Sequence, residues 1–176
     1  MFDPTAFENI KVVLEGALYD LDLSGDIIIT DRNDLLNTAK LSRCFDISFT
    51  LANKGAHPVT AKLSLESKLK NLAAELLAES LSESLAGSYM DLKFIFNHKN
   101  ENTDFRNIAK ILVEIWGSNR KITIHSIFDP LAGNFVKSIA TVEFARLIRE
   151  EQLDDLREMI EFMKITLQRL ESLREL

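Results

Sequence analysis

From Arg43 to Leu51 the chain alternates strictly: Phe45, Ile47, Phe49 and Leu51 are apolar, while Cys44, Asp46, Ser48 and Thr50 are small or polar. Val59 to Glu66 repeats the pattern, with Val59, Ala61, Leu63 and Leu65 set against Thr60, Lys62, Ser64 and Glu66. Period two with one polar side predicts strands of a sheet that is covered on a single face. "YMDLKFIF" (Tyr89 to Phe96), "KITIHSIF" (Lys121 to Phe128) and "FVKSIATVEF" (Phe135 to Phe144) read as further strands. Between and after them the period lengthens to that of a helix. "SKLKNLAAELLAESL" carries Leu69, Leu76, Leu77 and Leu81, and "NTDFRNIAKILVEIWG" starts at an Asn102 or Thr103 cap and stops at Gly117. The closing stretch from Glu150 to Leu173 predicts one long helix.

The N-terminal stretch admits two readings. Asp3 as N-cap with Pro4 behind it starts a helix, and Phe7, Ile10, Leu14, Leu18 and Leu21 would continue one helical face. Against that, "NIKVVLEGALYDLDLSGDIIIT" sets β-branched and aromatic residues before a Ser24-Gly25 turn and the run Ile27 to Thr30, as in a hairpin with Gly16 at a bulge. The preferred expectation is a short helix to about Glu8 followed by the hairpin. "DRNDLLNTAKL", with Asp31 and Asn33 as caps, is expected to be a short helix.

Together these elements predict an α+β protein of two layers, a mainly antiparallel sheet with helices on one face, in a single domain over residues 1–176. Sliding the sequence by 77 positions sets Arg43 on Arg120, Ile47 on Ile124, Val59 on Val136 and Glu66 on Glu143. That suggests a βαββα duplication, with halves at about 26–84 and 89–176.

In the last helix Leu153, Leu156, Ile160, Met163, Leu167 and Leu170 recur at steps of three and four, as a and d positions do. Met159, Phe162, Ile165 and Leu173 lie outside this stripe and widen the apolar surface beyond what one sheet face covers. The expectation is that one side packs on the chain's own sheet and the stripe meets a second copy in a homodimer. The alternative is a helix wholly satisfied within its own chain. A second candidate surface lies on the polar side of the strands, where Ile95, Ile127 and Ile139 interrupt the Thr, Ser and Lys pattern. If the strands are neighbours these form an apolar patch that fits another protein or another subunit.

Composition removes several function classes. A net charge of −6 argues against nucleic-acid binding, which rests on clustered Lys and Arg. The sequence has no run of about 18 apolar residues, so no membrane segment is expected. A single cysteine, Cys44, allows no internal disulfide and no cysteine-based zinc site, which points to a cytoplasmic protein. Cys44 beside Arg43 could have a lowered pKa, although a partly buried inert thiol is the plainer reading. His57, His98 and His125 are scattered, so no metal and no cofactor is expected. The loop "NHKNENTD" has too few carboxylates and no glycine for a calcium site. No phosphate-cradling glycine run and no nucleophile motif occurs, and no catalytic residue is assigned. The resulting expectation is a non-catalytic interaction or regulatory protein acting as a homodimer. The alternative is a small-ligand binder or enzyme with a site between sheet and helices, using His125 near Asp46 or Ser48 for proton transfer.

Overall fold

The computed structural model describes residues 6–174 apart from 53, 54, 56, 77–82, 100–104 and 132. Helix α1 (Ala6–Leu23) leads into strands β1 (Ile27–Asn37), β2 (Ser42–Leu51) and β3 (Thr60–Ser67). Then come α2 (Leu69–Leu76), β4 (Tyr89–Lys99), α3 (Phe105–Trp116), β5 (Lys121–Phe128), β6 (Phe135–Glu143) and α4 (Leu153–Arg174). The strands form one six-stranded sheet in the order β1-β2-β3-β4-β6-β5, with every neighbouring pair antiparallel. α1, α3 and α4 pack on one face of it, which is the expected two-layer α+β architecture.

Alternation in the sequence becomes burial in the structure. Phe45, Ile47 and Phe49 of β2, Ala61, Leu63 and Leu65 of β3, and Leu92 and Phe94 of β4 are fully buried under the helices. Their odd-even neighbours turn to the other face, as pleating requires.

Three expectations fail near the N-terminus and for one reason. Helix α1 runs through to Leu23, so no hairpin precedes Gly25. Phe7, Ile10, Leu14 and Leu18 are fully buried at helical spacing, and that long-range burial outweighs the β-branched Val12 and Val13. Ser24-Gly25 does turn the chain, but as the end of the helix: Gly25 has φ +79°, and the Asp26 N–H reaches back to the Leu21 carbonyl. "DRNDLLNTAKL" is not a helix; residues 31–37 extend β1 along β2, with a bulge at Thr30. Asp31 and Asn33 prefer caps locally, but here they stand beside Ser48 and Asp46 on the helix-free face. The candidate caps Asp3, Asn102 and Thr103 lie outside the described residues, as do Leu77 and Leu81 of the expected longer α2.

The two halves order their strands differently, β1-β2-β3 against β4-β6-β5, and only the second has a helix after its first strand. The topology therefore leaves the duplication unconfirmed.

Candidate functional site

The helix α4 stripe does not form a free seam. Leu156, Ile160, Met163, Leu167 and Leu170 are 0–3% exposed within the single chain, and Leu153 packs against the same core. The excess apolar surface has a local explanation: α4 is the central helix of its layer, touching β2 and β3 beneath it, α1 on one flank and α3 on the other. Met159 is buried, and Phe162 meets Trp116 edge-on with ring centroids 6.2 Å apart. The Trp116 indole N–H donates to Thr166 Oγ at 3.1 Å, fixing α3 on α4. A second copy has no access to five of the six residues expected at the dimer contact, and Leu153 is partly buried.

Among the described residues the opposite side of the sheet carries no helix, and its residues form cross-strand rows. One row runs Thr60, Ile95, Ile139, His125 across β3, β4, β6 and β5. The next is Ser48, Lys62, Lys93, Thr141, Thr123, and the next Asp46, Ser64, Asp91, Glu143, Lys121. Ile95 and Ile139 are thus direct partners, and Ile127, opposite Lys137, lies on the same face one row further along. Ile127 is 54% exposed, whereas Ile95 and Ile139 are half-buried among their neighbours.

Like charges stand directly opposite one another in two places on this face, Lys62 with Lys93 and Asp91 with Glu143. Such cross-strand pairs weaken a sheet. Lys62 and Lys93 are offset within the chain by carboxylates of the adjoining row, Asp46 at 2.8 Å and Asp91 at 3.6 Å, and Glu143 by Lys121 beside it in its own row at 2.9 Å. A lysine row consequently runs beside a carboxylate row. Over β4, β6 and β5 the surface sinks into an open trough of about 500 Å³, lined among others by Tyr89, Asp91, Lys93, Thr123, His125 and Thr141.

His125 belongs to this trough and not to a cleft between sheet and helices, because its strand parity turns it away from α3 and α4. Nor is it near Asp46 or Ser48: β6, β4 and β3 intervene, a separation of about 19 Å at the usual strand spacing. The two cannot share a proton. Cys44 is no activated thiol. Burial pushes its pKa up, Asp46 and Glu66 add to the shift, and Arg43 points to the other face, where it pairs with Asp34. Among the described residues no group of three or more His, Cys, Asp or Glu is placed to hold a metal ion.

Sequence reading missed one polar constellation. Ser126 and Ser138 share a hydrogen bond of 2.7 Å, Ser138 meets His98 Nε2 at 2.8 Å, and His98 Nδ1 lies 3.0 Å from the Lys99 carbonyl. A hydroxyl on an oriented imidazole resembles an activated nucleophile. Ser138 is completely buried, however, so no substrate atom reaches it, and the chain serves to satisfy polar groups beneath Phe105. No spacing rule would have found it, because its members come from three strands. No helix of the described residues is long and apolar enough to cross a membrane. Comparison with family models, curated proteins and solved structures finds no match, so the functional reading rests on the residues themselves.

Proposed function

We propose that this chain is a non-catalytic, cytoplasmic interaction protein that assembles as a homodimer through the helix-free face of its sheet. The observation that carries the reading is the lysine row lying beside the carboxylate row on that face. The pattern is self-complementary. A two-fold axis along the rows, at the level of Leu92 on β4, sets Lys93 of one copy against Asp91 of the other and Ile95 against Tyr89. Lys93 and Asp91, each facing a like charge across the strands of its own chain, then meet opposite charges from the second, while Lys62 meets Ser64 and Glu143 meets Thr141. Two-fold contacts of this isologous kind are the commonest assembly of soluble chains, and the apolar residues Ile95, Ile139 and Ile127 supply the area that must leave water.

The test is the solution mass by light scattering coupled to size exclusion. Wild-type protein should give about 40 kDa, twice the 20.0 kDa of one chain. Lys93→Glu should lower the mass toward one chain, and adding Asp91→Lys should restore the dimer, because exchanging the two charges preserves complementarity. A mass of 20.0 kDa at every concentration overturns the proposal.

A second reading has the trough in its favour: a small polar ligand held by His125, Thr123, Thr141 and Lys93. A single-chain mass, together with a co-purified small molecule that is lost on His125→Ala, would select it.

A further inference from the structure

The outer surface of the helix layer carries a feature that neither the core nor the sheet face explains. Between α1 and α4 runs a groove of about 660 Å³, floored by Val13, Ala17, Leu21 and Ile160. Its α1 wall is a stripe that runs from Val12, 59% exposed, past Gly16 to Leu21. From Val12 to Leu21 the stripe covers two and a half helical turns, about 14 Å.

Gly16 is the informative residue. It sits inside an 18-residue helix, where glycine is unfavourable relative to alanine, and a Cβ built on it would meet nothing within 4 Å. Its own chain therefore gives no reason for it. A missing side chain in a groove wall is what lets another backbone come close.

The groove also has a charge. Asp20, Glu158 and Glu161 line it against a single Arg157, and neither Asp20 nor Glu158 has an ion-pair partner among the described residues. Asp154 and Asp155 extend the acidic surface into the first turn of α4. A second copy of the same groove would bring carboxylates against carboxylates, so self-association through this surface is disfavoured. An apolar floor with an acidic rim, two and a half turns long, matches the apolar face and basic flanks of a helix.

We infer that the α1–α4 groove docks an amphipathic helix of a partner protein, with Leu- or Ile-like side chains on Val13, Ala17 and Leu21, its backbone passing close over Gly16, and Lys or Arg side chains on Asp20 and Glu158. This surface lies on the opposite layer from the sheet face and does not depend on the dimer.

Two labelled synthetic peptides of about fourteen residues, long enough to cross the stripe, provide the test by fluorescence anisotropy. Both have the same leucine face and alanine filling; one carries lysines on the flanks and its twin carries glutamates. The lysine peptide should bind at least tenfold more tightly than the twin. Gly16→Leu, whose Cβ meets no atom of its own chain, should weaken the lysine peptide at least tenfold with no loss of thermal stability. Asp20→Lys with Glu158→Lys should invert the preference. Equal binding of the two peptides, or binding indifferent to Gly16→Leu, would overturn the inference, the latter by showing attraction to the chain's general negative charge. A solution mass that Gly16→Leu lowers would overturn it also, by placing a second copy in the groove.

Discussion

At the scale of single residues the most informative positions are those whose chemistry their immediate neighbours do not explain. Gly16 is one, and Gly16→Ala should raise stability by about 1 kcal/mol, because alanine is the better helix former and the added methyl meets no atom. A denaturant titration decides it, and a loss would mean that the helix backbone is strained there. Asp34 is another. Its carboxyl is partly buried, which alone would raise its pKa, but hydrogen bonds from Arg43 and Lys11 outweigh that and hold it below its ordinary value. Glu8 is lowered in the same way, burial being outweighed by Lys11 and Arg43. The stability these carboxylates contribute is therefore present above the ordinary carboxyl range near pH 4 and lost as the pH falls through the lowered values. Asp34→Asn should reduce the melting temperature at pH 7, and by progressively less as the pH falls below the ordinary carboxyl range. Glu75 has the opposite sign, because burial raises its pKa and its contribution is lost as pH rises through the raised value.

At the scale of elements, α4 decides how the helix layer is built. Its apolar residues exceed a simple seam because it has three neighbours: the sheet, α1 and α3. Leu167 is fully buried among them, so Leu167→Ala should cost about 2–5 kcal/mol and leave the solution mass unchanged. Placing Asp at both Ile160 and Leu167 should unfold the chain, read by circular dichroism. A folded monomer from that double variant would instead mark the helix as a subunit contact. The ion pairs of α1 follow the same logic. Lys11 and Arg43 each bridge Glu8 and Asp34, tying the first helix to β1 and β2, the two elements that follow it.

At the scale of the whole molecule the two layers present different surfaces. Ile127 is more than half exposed at the end of an edge strand, so Ile127→Thr should change stability by no more than about 0.5 kcal/mol while weakening the face-to-face dimer. A loss of several kcal/mol would show it to be interior. The helix layer is expected to remain free for a partner helix, so dimer mass and peptide binding should respond to separate sets of substitutions.

What the sequence determined by itself was the period. Alternation through β2, β3 and β4 fixed which residues enter the core, and with it an antiparallel sheet covered on one side, because pleating allows only one face to take the apolar set. The same alternation placed Ile95, Ile127 and Ile139 on the other face. The tertiary structure decided what periodicity cannot express. Phe7 to Leu21 became a helix, and Asp31 to Asn37 a strand, through contacts with residues distant in the chain, against local cap and β-branched preferences. The heptad-like stripe of α4 was legible, but its partner was not. An apolar stripe records that something covers it, and only the positions of α1, α3 and the sheet show that its own chain does. Strand order likewise set His125 about 19 Å from Asp46, and it brought Lys62 opposite Lys93 and Asp91 opposite Glu143, rows that exist only once strands from both ends of the chain lie side by side.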